Sequence, residues 1–534
     1  MTRVVTGKEV ELSRREFLAA TGGALAGAAA LGLMGPAEAA KRHPSRGGTL
    51  RFAMRSDTTG LDLHRNTQYP VSIPLAAITQ GLLDLNLQAE PVPGVASEWE
   101  ASRDLLTYTF TLRKGVLFHN GREVDAAAVQ WNFARMQDPT TSHIFTRSAL
   151  ENLHEVVAVD KYTVRCHLHQ PSAAFPADVV YYPGSLMAPD SEAQADVLPI
   201  GCGPFKFVRW ERNQVTEMVR FENYFETDAD GNTLPYLDGL IGLSKKEDHV
   251  RLAALRGGEV HLIDSMAYAD AAAFPKKFAG QYQTWEVPSL GTSFITFNLE
   301  KGPFQDKMLR QAAAHAIDHD AIHQAVFFGQ GDSATGFYAR HSPWYTAGAR
   351  PWPEYDPEKA KFLLRKAKAV GVEVLLQAEN AWPYMQQTGE LVQAMWTEVG
   401  FKTILNIYDR PVLLQKRRSG DFHADSAAAS YRFDPDGWFG RQLLSTAPTT
   451  REVSRFSHEK ADKRILEARA TADKQKRLEI YAEIDSIINE ELPVLYIHHL
   501  TLLEAGVRHL KGYQPAICGP FTTQGGGIRT AWLA

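Results

Sequence analysis

An α/β fold spread over more than one domain is what this sequence predicts, and three observations carry the expectation. Its 534 residues exceed what one hydrophobic core organises, so the chain divides into two or three domains. Between residues 356 and 408 helix and strand patterns alternate, as they do in α/β layers. Residues 49–54 and 106–112 alternate apolar with polar side chains at the two-residue period of a half-buried strand.

The elements follow in chain order. Thr49 to Met54 forms a first strand, ended by the polar loop Ser56-Asp57-Thr58-Thr59-Gly60. Residues 106–112 and 161–168 read as two further strands, and a helix runs over 125–136. Gly201-Cys202-Gly203-Pro204 is a tight turn into a strand from Phe205, and Asp228 to Asn232 is a hairpin turn rather than a calcium loop. Asp356 and Pro357 are an N-cap and a first-turn proline, with Gly371 as the C-terminal stop. A helix over 388–399 closes at Gly400, and a strand over 401–408 follows it. A last long helix covers 461–491, interrupted near Ala472-Asp473.

Composition is that of a soluble globular protein, with 44% hydrophobic and 22% charged residues. The balance of 57 basic against 62 acidic side chains gives −5, which singles out neither nucleic acid nor a membrane surface as partner. Residues 1–39 read as an export signal. Arg14-Arg15 is followed, after Glu16, by Phe17-Leu18, and an Ala- and Gly-rich apolar run then reaches Met34. The small-x-small site Ala37-Glu38-Ala39 ends it, in the pattern of twin-arginine translocation with cleavage near Ala39. With no cysteine near that site, lipid anchoring is not expected, and the mature chain is expected in the periplasm.

Cys166, Cys202 and Cys518 form no CxxC pattern, and which of them pair, if any, the spacing leaves open. No Gly-x-Ser-x-Gly elbow, His-Glu-x-x-His or phosphate-binding loop occurs, so no catalytic constellation is expected and no cofactor is called for. His167 with His169, and His498 with His499, lack a third ligand in sequence, and no metal site is assigned to them.

Six segments in register resemble the peptide- and nickel-type solute-binding proteins of ABC importers, family 5. They begin with Gly47-Gly48-Thr49-Leu50 and Leu61-Asp62. The block from Pro93 to Met136 is the most specific and includes Leu112-Arg-Lys-Gly-Val-Leu-Phe-His119-Asn-Gly121. Pro199 to Phe205, Leu234 to Asp238, Pro303 to Asp318 and Asp434-Pro-Asp436 with Arg477 to Pro493 complete the likeness. It implies a two-lobed α/β periplasmic-binding-protein fold (type II) with an extra inserted domain and the ligand cleft between lobes. Lobe I would comprise 47–84, 198–295 and 492–534, the inserted domain 85–197, and lobe III 296–491. The implied function is capture of a small solute, peptide-like, opine or similar, by a monomer that delivers it to membrane permease subunits. A ligand sensor for a membrane receptor and a nickel or metal-chelate binder are the alternative readings. Permease and ATPase genes beside this one, or elemental analysis, separate these from transport.

The resemblance also places pocket residues. The aspartate that meets a peptide's amine falls at Tyr431 here, and the arginine that meets its carboxylate falls at Glu379. Both departures argue against a standard dipeptide, because a reversed charge partner is costly when buried. Glu379 is expected to meet a cationic or hydroxyl-rich group and Arg432 an anionic one. Trp382, Tyr384, Tyr431 and Trp438 are expected to stack on the ligand body, with Asp434, Asp57 and Thr58 as further contacts.

Overall fold

The computed structural model describes residues 44–66, 69–180, 185–346, 352–429, 432–515 and 526–534. The twin-arginine segment, Tyr431 and Cys518 therefore lie outside the described residues. Cys166 and Cys202 are buried free thiols.

One 11-stranded sheet runs through the molecule. Its first half contains β1 (Thr49–Met54), β2 (Phe205–Glu211), β3 (Val215–Arg220) and β4 (Gly239–Ser244). Helix α1 (Asp248–Arg256), the short strand β5 (Leu262–Ile263) and helix α2 (Tyr268–Lys277) come next. The long strand β6 (Tyr282–Phe297) leads out of this half, and helix α3 (His319–Ala325) follows it. The second half holds β7 (Glu373–Glu379), α4 (Pro383–Val399), β8 (Lys402–Tyr408), α5 (Arg410–Ser419) and β9 (Ala424–Ala429). Helices α6 (Asp436–Gln442), α7 (Glu459–Arg469) and α8 (Lys474–Glu491) precede the returning strand β10 (Val494–Val507).

Neighbours in the sheet run β2-β3-β4-β1-β5-β10-β6-β9-β7-β8, with Asp332–Ser333 paired on β10 as the eleventh strand. β1 is parallel to β4 and β5, and β7 is parallel to β8 and β9. The antiparallel pair β6 and β10 joins these two parallel blocks. Their register breaks between Pro288 and Thr292. On the far side of the break β6 acquires β9 as a second neighbour, and every residue from Ser289 to Phe297 is buried. The crossing from one half to the other thus falls at 289–291. Gly291 fits there because a Cβ would come within 3.2 Å of the Ala429 carbonyl oxygen.

Between the first two strands of the large sheet the chain builds a separate four-stranded antiparallel sheet. Thr107–Leu112 buries Tyr108, Phe110 and Leu112 and turns its threonines outward, as the alternation predicts. Helix Ala126–Gln137 is capped by Asp125, whose side chain accepts from the Ala128 N–H, and buries Val129 and Phe133 in the same core. In the second half, Trp396 of α4 is fully buried against Phe297, Phe304 and Phe401, and its indole N–H donates to the Ala313 carbonyl at 3.0 Å. Gly400 ends α4 in the left-handed region, at φ 116°.

Candidate functional site

The carboxyl ends of β1, β5 and β7 converge, and side chains from the two halves of the sheet meet there. Open α/β sheets bind ligands outside strand carboxyl ends because backbone turns there leave a crevice. Arg55 follows β1 directly, and its backbone N–H donates to the Asp264 carboxylate, just after β5, at 3.4 Å. Its guanidinium lies 3.9 Å over the ring of Trp382, in the turn between β7 and α4. Tyr384 opens α4 and meets Tyr268, the first residue of α2, edge-on at 6.3 Å. Phe327 packs against both tyrosines and stacks on His498 at 3.6 Å.

Charge in this crevice is arranged in pairs. Glu379 is buried at the end of β7 and accepts from Arg410 of α5 at 2.9 Å. Asp264 is buried beside Arg251, itself bonded to Asp248, and burial raises the Asp264 pKa against the opposing pull of Arg251. Burial lowers the pKa of Arg55 and raises that of the Tyr384 phenol.

A second charged cluster lies where the inserted domain touches the second half of the sheet. Asp434 accepts two bonds from Arg477, and Asp436 accepts from Arg469 at 3.0 Å. Arg441 reaches Asp178 of the inserted domain at 3.1 Å, and the Ala173 N–H donates to the Arg469 carbonyl at 2.8 Å. Burial pushes the Asp178 carboxyl up to about 7, although Arg441 opposes the rise. Arg432 donates through Nε to the Gly437 carbonyl, and burial followed by the neighbouring Arg441 lowers its pKa to about 10.

Of the residues expected in the pocket, the structure brings Glu379, Trp382 and Tyr384 together at the strand ends, and Arg432 with Asp434 in the second cluster. Glu379 is paired with Arg410. Asp57 faces elsewhere: from the loop after β1 it accepts from the Trp210 indole and the Asn213 N–H of the β2–β3 hairpin. Thr58 is buried and bonded to the Gly60 carbonyl. Trp438 is placed in the core, stacked on Phe337 at 4.0 Å, with its N–H donated to the Tyr496 hydroxyl. The histidines are likewise engaged: His498 bonds to His323, His499 to Thr292 and His167 to Thr107. Among the described residues, no group of three or more His, Cys, Asp or Glu is placed to hold a metal ion.

Sequence reasoning missed Arg55, Arg410 and Tyr268. A signal existed for the first, since an arginine immediately after the first strand stands where crevices form. Arg410 and Tyr268 open helices and carried no local mark.

Comparison with known proteins fits this geometry. The profile of bacterial extracellular solute-binding proteins, family 5 (middle) matches residues 90–450. The chain is similar to the dipeptide-binding protein of Escherichia coli strain K12, 29% identical over 457 residues, covering 79% of this chain and 84% of that one. It is also similar to heme-binding protein A of Haemophilus influenzae, 30% identical over 454 residues, covering 79% and 81%. The solved structure of HbpA2 from Haemophilus parasuis superposes with a TM-score of 0.78 at 25% identity, over 91% of this chain and all of that one. The chain therefore belongs to family 5 of the bacterial extracellular solute-binding proteins, the substrate-binding components of ABC importers.

Proposed function

We propose that this protein is exported by its twin-arginine signal, encloses a small polar solute between its lobes in the periplasm, and hands it as a monomer to an ABC permease without transforming it. The observation that carries this reading is the meeting of Arg55 and Tyr268 from one lobe with Glu379, Trp382, Tyr384 and Arg410 from the other. A crevice with charged rims and aromatic walls drawn from both lobes pairs a ligand's polar groups while covering its apolar body. Closure around the ligand is then a population shift that a membrane partner reads.

The relatives' names span a dipeptide and heme, so this scaffold supports very different ligands and its side chains decide which one fits. Here Glu379 and Arg432 are proposed as the charged contacts, with Trp382, Tyr384 and Tyr431 against the ligand body. The peptide-like class is favoured over sugars because the crevice carries full charges of both signs.

Native mass spectrometry of the chain recovered from its host's periplasm tests the proposal. The expected result is a mass excess that disappears on denaturation, with the released compound a small polar solute. Protein that carries nothing, and that shows no thermal shift with dipeptides or other polar metabolites, would overturn it.

A further inference from the structure

Arg55 differs from the other charged side chains around the crevice. Glu379 is taken by Arg410, Asp264 and Asp248 lie on Arg251, and Asp57 is held by Trp210 and Asn213. Among the described residues, the guanidinium of Arg55 makes no hydrogen bond and no ion pair. Its contact is the face of Trp382, at 3.9 Å. A ring under the face of a guanidinium engages its π surface and leaves the five in-plane N–H donors pointing outward. Those donors sit at the carboxyl end of β1, between two lobes, on a half-buried residue.

We propose that Arg55 binds the solute: its fork takes an anionic oxygen group, carboxylate or phosphate, while Trp382 fixes the plane of the fork. The inference rests on the solute-binding reading and deepens it, assigning an acidic group to the ligand and a lobe I residue to its recognition. A guanidinium held flat on an indole is pre-organised for two parallel N–H···O bonds, the strong geometry for carboxylate and phosphate. Burial already lowers the pKa of Arg55, so the cation has given up part of its hydration before the anion arrives. Because Trp382 belongs to lobe III and Arg55 to lobe I, an anion bound there engages both lobes and favours the closed form.

The test is competitive capture by the full mature chain. The probe is an equimolar mixture of dipeptides, the same dipeptides as C-terminal amides, sugar phosphates and uncharged glycosides. Retained species are released and weighed after gel filtration, for wild type, Arg55→Gln and Arg55→Lys. The expected result is retention of acids over amides and glycosides, reduced at least about tenfold in Arg55→Gln and less in Arg55→Lys. The retained masses tell carboxylates from phosphates. Arg55→Gln removes no side-chain hydrogen bond but does remove the stacking on Trp382, so a cooperative thermal transition only a few degrees below wild type certifies the fold. Equal capture of acids and amides, or undiminished capture of acids by Arg55→Gln, overturns the role of Arg55 and leaves solute binding standing. Capture of nothing by wild type overturns both.

Discussion

Arg477 donates its two terminal nitrogens to the two carboxylate oxygens of Asp434, at 2.8 and 2.6 Å, with both side chains almost fully buried. The pair ties α8 to the loop before α6, and the Arg477 guanidinium also lies 4.8 Å over Trp344. Removing one member strands the other charge away from water. Arg477→Ala is expected to lower unfolding stability by about 3–5 kcal/mol. The double replacement Asp434→Leu with Arg477→Met should cost much less, and urea denaturation compares the two.

Stability should fall as pH rises, through Glu504. This carboxyl is fully buried on β10, accepts from Tyr513 at 2.6 Å through one oxygen, and has no partner for the other among the described residues. Burial pushes its pKa from 4.5 up to about 8. A raised acid holds its proton in the folded state, so its contribution is complete below 4.5 and is lost on the way to 8. Melting temperatures measured from pH 5 to 9 should decline in wild type and decline less in Glu504→Gln, which should be the more stable protein at pH 9.

Contact between the inserted domain and the second half of the sheet is expected to favour the closed form. Arg441 with Asp178 and Lys474 with Glu90, each at 3.1 Å, bridge the two bodies. Partly exposed pairs of this kind contribute up to about 1 kcal/mol, so Arg441→Ala should shift the opening equilibrium by up to about fivefold. Small-angle scattering without solute should then report a larger radius of gyration; an unchanged radius would show that the pair does not bias closure.

On the proposed twin-arginine export, replacing both Arg14 and Arg15 by lysine should abolish export. Cell fractionation should find wild type in the periplasm with an N-terminus near Ala40, and the variant as uncleaved precursor inside the cell.

Much of the second half of the sheet was legible because its helix boundaries are set locally. Asp356 caps its helix by accepting from the Lys359 N–H at 2.9 Å, and Asp473 does the same for Lys476, which splits the last helical stretch where the sequence suggested. Gly371 is a partial exception. The helix before it ends at Lys366, and Lys368 already turns left-handed at φ 53°. Gly371 instead bonds to the Gly400 carbonyl and sets the entry to β7.

The crevice was much less legible, for a topological reason. Arg55 and Trp382 stand far apart in the chain and meet only because the strands preceding them end at the same place. Trp438 illustrates the converse: near a family motif it reads as a pocket wall, yet its neighbours Phe337, Phe294 and Tyr496 come from distant segments that bury it. Aromatic character gives the size of a side chain, and only tertiary packing decides which way it faces.

The paired strands β6 and β10 also bear on how such proteins diversify. The chain enters the second half of the sheet at Thr292 and returns from it at His499, and these two residues are register partners. Neighbouring strands lie roughly 5 Å apart, so the entire excursion begins and ends at nearly one point. The second half of the sheet is in this sense a cassette with its own termini fastened together. Recombination at those two positions would exchange one wall of the crevice while leaving the other wall and the inserted domain in place.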